Sequence, residues 1–71
     1  DVRAAHKSDR QAFLDPSRGV ETIPVFERDR LEHGHELDGP VLVESAQTTL
    51  LVPHGWHLAI DEYNNARLEA L

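Results

Sequence analysis

The stretch Leu37-Asp38-Gly39-Pro40-Val41-Leu42-Val43-Glu44, followed by Ser45-Ala46-Gln47-Thr48-Thr49-Leu50-Leu51-Val52 and Pro53-His54-Gly55-Trp56-His57-Leu58-Ala59-Ile60-Asp61-Glu62-Tyr63, decides the fold. Three short apolar runs are separated by turn residues, and two of the breaks carry a proline and a glycine. Val41–Val43 is the first run and Leu50–Val52 the second. In the third, Trp56, Leu58 and Ile60 alternate with His57, Ala59 and Asp61, the period-2 pattern of a half-buried strand.

Toward the N-terminus, Glu32-His33-Gly34-His35-Glu36 reads as a polar loop with Gly34 at its tip. Arg28-Asp29-Arg30-Leu31 suits one helical turn anchored by Leu31. Val20–Glu27 reads as a strand, and Pro24 inside it lacks a ladder donor. That strand is therefore expected at a sheet edge or broken by a bulge at Pro24. Asp15-Pro16-Ser17-Arg18-Gly19 carries the signature of a hairpin turn. The preceding residues fit either an imperfect helix along Val2, Ala5, Ala12 and Phe13 or an arm leading into a strand at Arg10–Leu14. The turn favours the second reading. Toward the C-terminus, Asn64-Asn65 suits a two-residue hairpin between a strand reaching Tyr63 and another over 66–69.

The expected fold is all-β: a small barrel or sandwich of five to six short, mostly antiparallel strands with an irregular N-terminal arm. The arm is assigned to 1–9 and one small β domain to 10–71.

With 71 residues the chain is at the lower end of what folds alone. Such a chain buries only about 60% of its unfolded surface, and its core supplies roughly 3–5 kcal/mol. It has no cysteine, so no disulfide staples it and no thiol chemistry is open to it. Acidic residues outnumber basic ones by 13 to 7, which argues against nucleic acid or an anionic membrane surface as partner. No apolar run approaches the roughly 20 residues of a membrane-spanning helix. The start of the chain lacks the apolar region of a secretory signal, so a cytoplasmic setting is expected. It also lacks an initiator methionine, as expected of a fragment, a processed product or part of a longer subunit.

Candidate chemistry is sparse. His33, His35, His54 and His57 raise the possibility of a metal-binding module, but no cysteine or spaced acid completes a ligand set. Asp61 with Glu62, and Glu27 with Asp29, read as solvated charge rather than an acid/base pair. Ser45, Thr48 and Thr49 lack a nucleophile motif. Lys7 is the only lysine, and no phosphate-binding loop is present. Trp56 is expected as a core plug, with an interface anchor as the alternative.

The ordered series Ile23-Pro24-Val25-Phe26-Glu27-Arg28-Asp29-Arg30-Leu31, Gly34, Leu37–Glu44, Thr48-Thr49, Val52-Pro53-His54-Gly55-Trp56 and Asp61-Glu62-Tyr63 resembles the C-terminal end of the hydantoinase A family. That family includes 5-oxoprolinase-like proteins and acetone or acetophenone carboxylase subunits. The likeness covers roughly Arg10 to Leu68. Phe26 stands where the family has tyrosine, His54 replaces the second proline of a Pro-Pro-Gly-Trp element, and Asn64-Asn65 replaces Gly-Asn.

The resemblance implies a noncatalytic small subunit of a multi-subunit ATP-dependent ketone carboxylase, completing a large hydantoinase A-like subunit. The alternative is the C-terminal part of an ATP-dependent hydantoinase or 5-oxoprolinase-type hydrolase. ATP and a divalent metal are implied for the partner subunits, with no catalytic, cofactor or metal residue on this chain. Structural or interface roles are implied for Pro24, Phe26, Arg28, Gly39, Pro40, Glu44, Pro53, Gly55, Trp56 and Tyr63.

Overall fold

The turn residues sort the described residues into seven strands. The computed structural model describes residues 2–71, so Asp1, the first residue of the expected arm, lies outside the described residues. The strands are β1 (His6–Asp15), β2 (Gly19–Glu27), β3 (Glu36–Asp38), β4 (Val41–Glu44), β5 (Thr49–Val52), β6 (Trp56–Ile60) and β7 (Ala66–Ala70). They form two sheets, one ordered β1-β2-β4-β5 and the other β3-β6-β7. The all-β, sandwich-like expectation holds. All pairings are antiparallel except β2 with β4, which run parallel through Val25–Leu42, Phe26–Val43 and Glu27–Glu44.

Local chemistry explains the turns. Asp15 closes the first hairpin: its carboxylate accepts the Ser17 N–H and hydroxyl, both at 2.9 Å, and Gly19 takes the left-handed conformation at φ +71°. At the other end, Asp61 accepts the N–H groups of Tyr63 and Asn65, each at 2.9 Å. This makes the β6–β7 connection a longer loop than a two-residue turn, with β6 ending at Ile60 instead of reaching Tyr63. Asn64 supplies the positive φ, +63°. Arg28–Arg30 forms one 3-10 turn, and Leu31 behind it is buried as expected.

Besides the longer β6–β7 loop and the seven described strands where five to six were expected, three expectations change. The first strand begins at His6 rather than Arg10, preceded by a 3-10 turn over Val2–Ala5. Ala5 is fully buried and the His6 ring stands edge-on to Phe26, with centroids 5.5 Å apart. These contacts hold a polar segment in register, and an edge strand needs no apolar alternation of its own. β2 is not an edge strand, and neither irregularity in its pairing with β1 falls at Pro24. The parallel ladder to β4 begins only at Val25, so Pro24 lies where β2 has a strand on one side only. Trp56 is not a core plug: it is 41% exposed at the start of β6.

The core lies between the sheets. Phe26, Val41, Val43 and Val52 from one meet Leu37, Leu58 and Ile60 from the other, and Ala5 and Leu31 belong to the same buried cluster. Ile23 and Val25 are also buried. Val25 neighbours Phe26 along β2 and so faces the opposite side of its sheet, which makes β2 a strand covered on both faces.

Candidate functional site

The chain passes from one sheet to the other at Gly39-Pro40 and again at Pro53-His54-Gly55. These two corners touch. A Cβ on Gly39 would fall on the Pro53 carbonyl and within 2.7 Å of the Val52 carbonyl oxygen, so no side chain fits there. The Gly39 N–H donates to the Trp56 carbonyl at 2.9 Å, and the Trp56 N–H donates to the Pro53 carbonyl at 3.2 Å. Pro40 follows through a cis peptide bond. Gly55 adopts φ +82°, and its carbonyl accepts the Leu71 N–H at 2.8 Å. Four of the singled-out residues, Gly39, Pro40, Pro53 and Gly55, thus build one structural corner.

Glu44 lies in a second cluster. In the β2–β4 ladder it stands beside Glu27, and two adjacent carboxylates repel. Lys7 of β1 bridges them, with Nζ 3.0 Å from Glu44 and 3.3 Å from Glu27, and Arg10 donates to Glu44 at 2.6 Å. The Glu44 carboxyl is held below its ordinary pKa by the hydrogen bond from Lys7 and then that from Arg10. The Lys7 ammonium is correspondingly raised, chiefly by Glu44. Arg28 forms a third tie, donating to the Asn64 carbonyl at 2.6 Å.

The histidines are dispersed. His35 Nδ1 accepts the Glu32 N–H at 3.0 Å, and His33 is exposed. His54 Nε2 lies 2.7 Å from Glu21 Oε1, while the other Glu21 oxygen is buried without a partner. His57 sits between Asp38 at 2.6 Å from Nδ1 and Glu36 at 2.8 Å from Nε2. Its pKa is raised above the ordinary histidine value first by the hydrogen bond to Asp38 and then by that to Glu36, because both carboxylates favour the protonated ring. Among the described residues no group of three or more His, Cys, Asp or Glu side chains is placed to hold a metal ion. The His57 contacts escaped the sequence reading. The signal for them is the i, i+2 pair Glu36 and Asp38, which falls on one face of a strand only once β3 is recognised.

Two apolar surfaces face outward. Phe13 and Val20 pair across the outer end of the β1–β2 hairpin, 64% and 66% exposed, beyond the point where β2 has a second strand neighbour. The second surface follows the β7 edge, where every residue is exposed. Trp56 at 41%, Leu68 at 41% and Leu71 at 77% lie there. Tyr63, 77% exposed, stands in the loop just before β7. Pro24 and Phe26 contribute inside the sheet, half-buried and 7% exposed respectively. No helix among the described residues is long and apolar enough to cross a membrane.

Known proteins share both this fold and this sequence pattern. The acetophenone carboxylase gamma subunit of Aromatoleum aromaticum is 34% identical over 71 residues, which is all of this chain and 10% of that subunit. The caprolactamase subunit alpha of Pseudomonas jessenii is 45% identical over 38 residues, covering 54% of this chain and 6% of that one. A nucleotide-free acetone carboxylase structure superposes with a TM-score of 0.86 at 22% identity, covering 96% of this chain and 9% of the larger one. The chain thus spans about a tenth or less of each of these relatives. The family model for the hydantoinase/oxoprolinase C-terminal domain matches residues 2–71, and the chain belongs to that family.

Proposed function

We propose that this domain is a noncatalytic structural component of an ATP-dependent carboxylase acting on a small ketone, docked on a hydantoinase A-like body that carries the ATP and divalent-metal chemistry. The observation that supports this best is the 34% identity along the entire chain to one tenth of an acetophenone carboxylase gamma subunit. Whether the domain is joined to that body or held as a separate small subunit alters the connection and not the contact. The setting is cytoplasmic. In this reading the β1–β2 hairpin is the docking element, because Phe13 and Val20 present adjacent apolar side chains on a strand pair held rigid by the Asp15 turn.

The likeness to caprolactamase subunit alpha favours a second reading, in which the same domain completes an ATP-dependent hydrolase of a cyclic amide. Co-purification on a tag fused to this chain, followed by mass spectrometry and activity assays, tests both. A large hydantoinase A-like companion is expected, lost in the Phe13→Ser, Val20→Ser double variant. Bicarbonate-dependent ATP turnover with a ketone supports the carboxylase, and bicarbonate-independent lactam opening the hydrolase. Turnover of either substrate by the 8.0 kDa chain alone overturns the noncatalytic role.

A further inference from the structure

The edge strand β7 is self-complementary, and we infer that two copies of this domain pair through it, β7 against β7 about a two-fold axis at Leu68. This goes beyond the carboxylase reading and does not depend on it.

The direction of the free backbone groups comes from two hydrogen bonds that frame the β6–β7 ladder. The Asp61 N–H donates to the Asn65 carbonyl at 2.9 Å and the Leu71 N–H to the Gly55 carbonyl at 2.8 Å. In an antiparallel ladder the bonded positions alternate, so Asn65, Arg67, Glu69 and Leu71 turn toward β6. Ala66, Leu68 and Ala70 therefore turn their N–H and C=O groups to the open edge. These are the unsatisfied groups that an edge strand offers to another chain.

The side chains select the occupant. β7 reads Ala66-Arg67-Leu68-Glu69-Ala70. Antiparallel pairing of two copies about Leu68 sets Leu68 against Leu68, Ala66 against Ala70 and Arg67 against Glu69, with the same contacts repeated by symmetry. Each opposed pair matches in size or is opposite in charge, as an isologous interface requires. The register to β6 places Ala66, Leu68 and Ala70 beside Ile60, Leu58 and Trp56, so they continue the apolar inner face of their sheet. Arg67 and Glu69 share the polar outer face, where Glu69 lies opposite His57. Within one chain Arg67 and Glu69 approach only to 3.9 Å and remain 64% and 58% exposed, which leaves both charges available for cross-strand partners. A slip of one residue would bring apolar side chains to the polar face, so the charge pairs and the pleat specify one register.

The pairing extends β3-β6-β7 into a continuous sheet across both copies. A single strand pair lies at the small end of stable interfaces, so the dimer is concentration-dependent.

Sedimentation equilibrium on the 71-residue chain tests this, with far-UV circular dichroism confirming that each variant is folded. The weight-average mass of the wild type is expected to rise from 8.0 kDa toward twice that value as concentration enters the millimolar range. Arg67→Glu and Glu69→Arg each oppose like charges at both symmetric contacts and are expected to shift the midpoint at least tenfold upward. The double variant Arg67→Glu, Glu69→Arg restores opposite charges and returns the midpoint to near the wild-type value. Leu68→Lys abolishes the dimer. A monomer at every concentration, a dimer indifferent to the single charge changes, or capture of β7 by a different polypeptide instead of a second copy overturns the proposal.

Discussion

The guanidinium of Arg28 donates a 2.6 Å hydrogen bond to the backbone carbonyl of Asn64, thirty-six residues later, tying the 3-10 turn after β2 to the loop between β6 and β7. Asn64 presents that carbonyl from the left-handed conformation, φ +63°, while its own N–H donates to the Asp61 carbonyl at 3.0 Å. One side chain therefore links the end of a strand in one sheet to a turn in the other. Arg28→Ala is expected to cost about 1 kcal/mol, a fall in Tm of about 4–8 °C for a domain of this size. Asn64→Gly keeps the backbone geometry and is expected to be nearly neutral. Thermal unfolding of the two variants checks the contrast, and equal losses in both would contradict it.

The two corners give a sharper prediction. Gly39→Ala pushes a methyl group onto the Pro53 and Val52 carbonyls, which are backbone and cannot swing aside. The expected loss is about 3 kcal/mol, comparable with the whole stability of roughly 3–5 kcal/mol that a core of this size provides. Gly34→Ala is the control: a Cβ there meets nothing within 4 Å, and only the φ of +93° opposes it. Its cost is roughly 1–2 kcal/mol. Urea unfolding should show Gly34→Ala with a modestly lowered midpoint and Gly39→Ala with only about 0–2 kcal/mol left, partly unfolded before denaturant is added.

His57 makes stability depend on pH in a defined direction. Its folded pKa is raised by Asp38 and then Glu36, so its contribution is full below the ordinary histidine value near 6.5 and is lost as pH rises through the folded value. His57→Gln should therefore lower Tm at pH 5.5 and have progressively less effect above neutrality. A gap that widened with increasing pH would show that the imidazolium is not the stabilising form.

Lys7 and Glu44 act in the opposite range. The Glu44 carboxyl is lowered in the fold, so its contribution is present above the ordinary carboxylate value and disappears as pH falls through the folded one. Lys7→Met leaves Glu27 and Glu44 side by side with Arg10 as the remaining cation on Glu44. The destabilisation should be visible at pH 7, shrink in acid as the Glu44 carboxylate protonates, and weaken in 1 M salt, because these groups are in part open to solvent. Chemical unfolding over a grid of pH and salt measures it.

Particular residues mark where sequence reading stops. The Asp15–Gly19 hairpin was legible because its turn is made by neighbours in the chain, and so was Leu31 as an anchor. β3 was not, since Glu36-Leu37-Asp38 is too short for a period to show and becomes a strand only by pairing with β6. Trp56 was misplaced for a related reason. Its alternation with Leu58 and Ile60 put it on the core-facing side, but at the first position of β6 it is 41% exposed while those two are buried.

The all-β class, the positions of most turns and the family are legible in the residues alone, because these reside in local backbone preferences, period-2 patterning and an ordered motif series. Which strands share a sheet, the press of Gly39 against Pro53, the meeting of Glu44 with Lys7 and Arg10, and the open edge of β7 are set by the three-dimensional fold. Those are relations between segments far apart in the chain. They depend on how two twisted sheets are joined at their corners, and no local propensity encodes that distance.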